Sequence, residues 1–99
     1  MNAELQAAEP DAEAVEGPGS RLRAAREAAG RSQTDIAEEL RLGVEMIDAL
    51  ETGDQDRLPG AVFVRGYLRS YAALVGVPVD EVMAAYDRVG GGGEEPRLA

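Results

Sequence analysis

The sequence of 99 residues contains no cysteine, histidine, tryptophan or lysine, and only 4% of it is aromatic. The absence of cysteine excludes disulfide bonds, thiolate zinc sites and thiol nucleophiles, and it favours an intracellular, cytoplasmic setting. The absence of histidine removes the commonest general base and metal ligand. We therefore expect no catalytic residue, no metal site and no cofactor. The composition indicates a protein that binds a partner rather than an enzyme.

Negative charge is spread unevenly along the chain, which carries a net charge of −9. Residues 1–19 contain five acids and no base, whereas residues 20–89 contain nine arginines and twelve acids. Counterion release, on which generic phosphate binding depends, needs clustered positive charge. We therefore expect residues 20–89, with their surplus of acids, to bind nucleic acid poorly.

The composition divides the chain into three parts. Residues 1–19 lack a sustained apolar face and are predicted to be a disordered acidic tail. Residues 90–99 begin with four glycines and are predicted to be a flexible tail. Residues 20–89 are the predicted domain, close to the size at which one hydrophobic core is only marginally sufficient. The core must come mainly from Ala, Leu, Val and Ile, which favours an all-α fold of packed helices.

Capping residues and glycines predict five helices in this domain. They begin near Ser20, Ser32, Gly43, Gly60 and Asp80, and the first, third and fourth end at Gly30, Gly53 and Gly76. Asp35 lies three residues after Ser32, which is the spacing of a capping box. Residues 54–57 are predicted to be a loop between the third and fourth helices.

The second and third helices carry the pattern of a helix-turn-helix unit. They are joined by Arg41-Leu42-Gly43, and the pattern runs Gln33-x-x-Ile36-Ala37-x-x-Leu40-x-Leu42-x-x-x-x-Ile47-x-x-Leu50-Glu51-x-Gly53. This pattern resembles the repressor-like (XRE) family, and it implies a five-helix repressor-like domain. Every position in the pattern is a packing requirement, so it specifies the fold strongly and DNA binding only weakly.

A DNA-binding transcriptional regulator is one function that this resemblance implies. Gln33 and Thr34 would contact phosphates from the second helix, and Val44, Glu45 and Asp48 would face the bases from the third. The residues expected to be exposed on the third helix are Val44, Glu45, Met46, Asp48, Ala49 and Thr52. None of them is Arg, Lys, Gln or Asn, and phosphates would repel the two carboxylates. DNA binding is therefore the alternative rather than the leading hypothesis.

The fourth helix gathers three of the four aromatic residues in the chain. Phe63, Tyr67 and Tyr71 recur every four residues, and Arg65 and Arg69 lie opposite them. Phe63 and Tyr67 fall at the edge of the apolar arc, where a partly exposed contact residue would lie, and aromatic anchors often dominate interfaces. The other interpretation places both in the core. The arginines either meet an acidic partner or pair with acids of this domain.

Gly66 lies inside the same helix, where glycine costs up to about 1 kcal/mol relative to alanine. Two interpretations remain open for it: a close crossing with another helix of the domain, or an open surface for a partner. Tyr71, Leu74 and Tyr86 are predicted to belong to the core that holds the last two helices onto the others.

A narrower resemblance comes from the segment before and within the fourth helix. It reads Leu58-Pro59-Gly60, then Phe63-x-Arg65-Gly66-Tyr67-x-Arg69-x-Tyr71-Ala72, and it is similar to the N-terminal cytoplasmic domains of the RodZ family of bacterial cell-shape proteins. The resemblance covers about residues 20–89 and implies binding of the actin homologue MreB through the fourth helix, with Phe63 and Tyr67 in the contact. It also implies a cytoplasmic domain, anchored to the membrane by a segment outside this sequence where it belongs to a longer RodZ-like chain.

Overall fold

The computed structural model describes residues 17–89, which form five α-helices and one short 3-10 helix, with no β-strand in this part. The elements are α1 (Pro18–Ala28), α2 (Gln33–Leu40), α3 (Val44–Thr52), the 3-10 helix Gln55–Arg57, α4 (Ala61–Val75) and α5 (Val79–Arg88). The predicted all-α, five-helix fold is confirmed. The predicted disordered tails lie almost entirely outside the described residues. No helix in the described part is long and apolar enough to cross a membrane.

Most helix ends follow from local capping chemistry. The capping box at the start of α2 is confirmed: the Asp35 backbone N–H donates to Ser32 Oγ at 3.0 Å, and the Ser32 N–H donates to Asp35 Oδ2 at 2.9 Å. α3 and α4 end where predicted, at Gly53 (φ 72°) and Gly76 (φ 79°). Glycine reaches this left-handed backbone without the Cβ penalty that other residues have.

Two predicted helix starts are wrong, and the predicted loop has some structure of its own. α1 begins at Pro18 after the N-cap Gly17, so Ser20 lies inside the helix rather than capping it. Proline suits the first helical position because its missing N–H would be unpaired there in any case. α5 begins after Pro78, so Asp80 lies in its first turn and makes no capping hydrogen bond. The stretch predicted as a loop contains the 3-10 turn Gln55–Arg57.

The core lies where the five helices meet. α1 packs against α3, α4 and α5, α2 packs against α3 and α4, and α4 and α5 form an adjacent pair. The buried cluster consists of Leu22, Ile36, Ala37, Ile47, Leu50, Val64, Leu68, Tyr71, Ala72, Val82, Met83 and Tyr86. The core assignment of Tyr71 and Tyr86 is confirmed, and Leu74 packs against this cluster while half-buried. α4 therefore has one face buried against three other helices and the opposite face outside the core.

Gly19 marks a close approach between two helices of the domain. It is buried in the first turn of α1, and a Cβ atom placed there would overlap the backbone carbonyl oxygens of Leu50 and Glu51. Because both obstacles are backbone atoms, a side-chain rotation does not relieve the overlap. A glycine at this position is what allows α1 to lie against the last turn of α3.

Candidate functional site: the exposed faces of helices α3 and α4

A buried carboxylate connects four of the five helices. Glu51 on α3 accepts hydrogen bonds from Arg26 of α1 (Nε at 2.7 Å and Nη2 at 3.1 Å) and from Gln33 Nε2 of α2 at 3.0 Å. The Tyr71 hydroxyl of α4 donates to Glu51 Oε2, the oxygen that also accepts from Arg26 Nε. The Glu51 side chain is only 1% exposed. A buried ion pair needs this degree of hydrogen bonding to offset the cost of removing two charges from water.

The pKa values of these groups follow from their surroundings. Burial opposes ionisation of Glu51, but the hydrogen bonds from Arg26, Tyr71 and Gln33 outweigh it and hold the pKa of the carboxyl below its usual value. Burial, followed by the hydrogen bond to Glu51, raises the pKa of Tyr71. The hydrogen bond to Glu51 raises the pKa of Arg26 despite burial. Glu51 is therefore a charged structural group at neutral pH, and Tyr71 keeps its proton.

The residues predicted to read DNA are only partly available on the surface. Thr34, Val44 and Glu45 are exposed. The Gln33 amide donates to Glu51 and also to Asp48 Oδ1 at 3.1 Å, so it is held inside the domain. Asp48 pairs with Arg57 at 2.8 Å, and this bond, with that from Gln33, lowers the pKa of the Asp48 carboxyl.

Two residues of α3 differ in exposure from the prediction. Ala49 was expected on the surface but has 0% exposure, and Met46 is half-buried. α3 packs against α1 as well as α2, so more of its surface is covered than in an isolated two-helix unit. The exposed start of α3 therefore consists of an apolar residue and a carboxylate, Val44 and Glu45.

The turn between α2 and α3 is conformationally unusual. Arg41 has φ 60° and ψ 41°, and among the described residues it is the only one besides glycine with a positive φ. L-residues pay a steric penalty in this region because Cβ crowds the following carbonyl oxygen. The position is one at which glycine is the favoured residue.

The outer face of α4 carries large exposed apolar side chains. Phe63 is 57% exposed and Val62 is 73% exposed. The interpretation that both predicted aromatics are core residues is wrong for Phe63, because its side chain lies on the surface. Tyr67 is half-buried and packs against the core cluster. Phe63 is thus the most exposed aromatic residue of α4.

The two arginines of α4 differ in their surroundings. Arg65 Nη1 donates to Asp87 of α5 at 3.0 Å, and its guanidinium lies 5.5 Å from the centre of the Tyr86 ring. Arg69 is exposed and has no hydrogen bond or ion pair within residues 17–89. Arg65 therefore helps to join α4 to α5, and Arg69 keeps its charge available.

Gly66 lies on open surface. A Cβ atom built on this residue would have no neighbouring atom within 4 Å. The interpretation that Gly66 permits a close crossing with another helix of this domain is therefore wrong. No helix packs against it in the described part of the chain.

The comparison with protein families agrees with this geometry. The model of the helix-turn-helix domain family matches residues 21–82. The chain belongs to the helix-turn-helix domain family. No solved structure matches the chain. Within residues 17–89 no cluster of three or more metal-ligating side chains is placed to hold an ion.

The helix-turn-helix match covers α2, α3 and α4 and most of α1, so it includes both candidate surfaces. Hydrophobic periodicity and capping found α2, α3 and α4 but missed Gly19 and the Arg26–Glu51 pair. Glu51 follows the core residue Leu50 directly, and a charged residue at such a position is normally assigned to solvent. The one available signal was its spacing of four from Ile47, which puts both on the inner side of α3.

Proposed function

We propose that this helix-turn-helix domain is a non-catalytic interaction module of a bacterial cell-shape protein, which binds the actin homologue MreB through α4. The observation that carries the proposal is the exposure of Phe63 on the helix that also bears the RodZ-like sequence pattern. A large aromatic side chain left 57% exposed, beside the still more exposed Val62, is what a docking surface requires.

The energetic contribution of this face is concentrated in few residues. Full burial of a Phe or Val side chain stabilises a complex by about 1.5–3 kcal/mol, and aromatic residues at the centre of an interface often contribute most of the affinity. Tyr67 is partly covered by its own domain, so it offers a partner less area than Phe63 does. Among the predicted contact residues, we assign the main apolar contact to Phe63 and the electrostatic contact to Arg69.

DNA binding is the second candidate function, and membership of the helix-turn-helix family favours it. Such binding would use Thr34, Val44 and Glu45, together with Gln33 and Asp48, which are now bonded to each other. A helix that presents carboxylates toward phosphates loses affinity instead of gaining it. Under this alternative, affinity for duplex DNA would fall steeply as salt is added.

Co-sedimentation with polymerised MreB from the same organism tests the proposal. The wild-type domain is expected to pellet with filaments, and Phe63→Ala is expected to weaken binding by about 2 kcal/mol or more, roughly 30-fold. Val89→Ala is the matched control, because Val89 is 59% exposed on the surface outside α4. Circular dichroism checks that both variants remain folded.

Two results would contradict the proposal. One is the absence of wild-type binding, after which a duplex-DNA titration at two salt concentrations becomes the deciding experiment. The other is equal loss of binding in Phe63→Ala and Val89→Ala, which would mean that the contact is not specific to α4.

A further inference from the structure

Gly66 occupies the centre of the solvent-facing side of α4. At about 100° per residue, the residues around it on this face are Val62, Phe63, Arg69, Ser70 and Ala73, all of which are exposed. On a helical wheel of α4, Gly66 lies midway between Phe63, at one edge of this exposed face, and Arg69, at the other edge. Across the helix, this face therefore presents the large apolar side chain of Phe63, then the bare backbone at Gly66, then Arg69, a cation that has no ion pair among residues 17–89.

Nothing inside the domain requires glycine at this position. The positive-φ glycines of the described part are Gly30, Gly53 and Gly76, so the backbone at Gly66 is one that any residue adopts. No atom lies within 4 Å of the place a Cβ would occupy, so internal packing does not demand it either. Alanine is the better helix former at an interior position. Gly19 shows the contrast, since a Cβ there would overlap the backbone of α3.

The charge of this face points to the chemistry of what covers it. α4 contains no acid over residues 61–75, and Arg69 has no counter-charge among residues 17–89, whereas Arg65 is neutralised by Asp87. Two copies of α4 packed against each other would bring cations together without any carboxylate, which disfavours a second copy of this chain as the occupant. An acidic protein surface supplies the missing charge.

We propose that Gly66 is the point at which the partner chain comes closest to α4, and that the partner carries a carboxylate opposite Arg69. The inference rests on the proposed function and adds two specificity-determining residues to it. Without a Cβ at Gly66, a partner segment can lie directly on the helix backbone while Phe63 and Arg69 flank it. A side chain at Gly66 holds the partner away from both.

The experiment compares Gly66→Ala and Gly66→Leu with the wild type in filament co-sedimentation and in urea unfolding. The matched control is Ala24→Leu, which adds bulk at an exposed position in the middle of α1. Gly66→Ala is expected to unfold at the same or a higher urea concentration and yet to bind at least fivefold more weakly. Gly66→Leu is expected to lose binding, and Ala24→Leu to bind as the wild type does.

A second pair of variants tests the electrostatic half of the proposal. Arg69→Ser is expected to weaken binding at least fivefold, with the loss shrinking as salt rises. Arg88→Ser removes the same charge from another exposed arginine without an ion pair in the described region, and it is expected to have little effect.

The outcomes separate this inference from the function on which it rests. If the wild type does not bind filaments, both are overturned. If the wild type binds and Phe63→Ala weakens it, but Gly66→Leu binds normally, the function stands and the role of Gly66 is overturned. If Arg69→Ser and Arg88→Ser weaken binding equally, the carboxylate opposite Arg69 is overturned.

Discussion

Replacing Glu51 by glutamine should remove a large part of the stability of the domain. The substitution keeps the shape of the side chain but exchanges a carboxylate oxygen for an NH2 group, in a site where all the neighbours are donors. It also leaves the Arg26 side chain, which is 10% exposed, with only the longer and more exposed pairing to Glu27 Oε2 at 3.8 Å. Breaking a buried ion pair from one side costs about 3–5 kcal/mol. A domain of this length has a total stability of about 4–11 kcal/mol, at the usual range per residue, so Glu51→Gln should remove at least about a quarter of it and, at the lower end of the range, unfold the domain.

Urea unfolding followed by circular dichroism measures the effect. At a slope of about 1 kcal/mol per molar urea, the midpoint should fall by about 3 M or more, or the variant should be unfolded without denaturant. Glu38→Gln is the matched control, because Glu38 is exposed on α2 and its side chain has no hydrogen bond or ion pair in the described part. A loss of less than about 1 kcal/mol would refute the assignment of Glu51 as the centre of a stabilising network.

The pH dependence supplies an independent check with a definite sign. The pKa of Glu51 is lower in the folded domain than in the unfolded chain, where it is about 4.3. Below that pH the unfolded chain takes up a proton that the folded domain does not, so wild-type stability should decline as the pH falls through this region. In Glu51→Gln, residue 51 has no carboxyl group and takes up no proton in either state. The difference in stability between the wild type and Glu51→Gln should therefore narrow as the pH falls below about 4.

Two further substitutions test the backbone interpretations by thermal unfolding. Gly19→Ala should destabilise the domain by about 1–3 kcal/mol or more, because its Cβ overlaps the carbonyl oxygens of the last turn of α3; an unchanged melting temperature would contradict the close approach of α1 and α3. Arg41→Gly should stabilise the domain by about 0.5–1 kcal/mol, because φ 60° is strained for arginine and relaxed for glycine; a lower melting temperature would show that the arginine side chain offsets the strain.

Local sequence signals predicted the helix-turn-helix region well, because its boundaries depend on neighbouring residues. The Ser32–Asp35 capping box closes within four residues, and Gly53 and Gly76 end their helices through their own backbone conformation. Such features are determined by the chain on either side of them. The capping box and the glycine helix ends therefore form in the folded domain whichever helices pack together.

The features that sequence reasoning missed all depend on contacts between distant segments. The Arg26–Glu51 pair joins residues 25 positions apart, and a pattern of hydrophobic residues does not reveal a charge that becomes buried by pairing. Gly19 is explained only by the backbone of α3, and the burial of Ala49 depends on how the other helices pack around α3. On α4, the helical wheel placed Phe63 at an edge but did not decide between core and surface, since that depends on where α5 packs.

The hydrogen bonds of Gln33 give an energetic reason to prefer partner binding through α4 over DNA binding. The side-chain amide of glutamine has two N–H donors, and both are used, on Asp48 and on the buried Glu51. Turning that amide toward a phosphate would withdraw a donor from a buried carboxylate, at a cost of about 1–3 kcal/mol. Contact through α4 breaks no bond of this kind, because Phe63 is already exposed and Arg69 is already unpaired in the described region. Gln33, which helps to hold this helix-turn-helix together, is thus also a residue that its DNA-binding mode would need, whereas contact through Phe63 and Arg69 breaks no bond of the described fold.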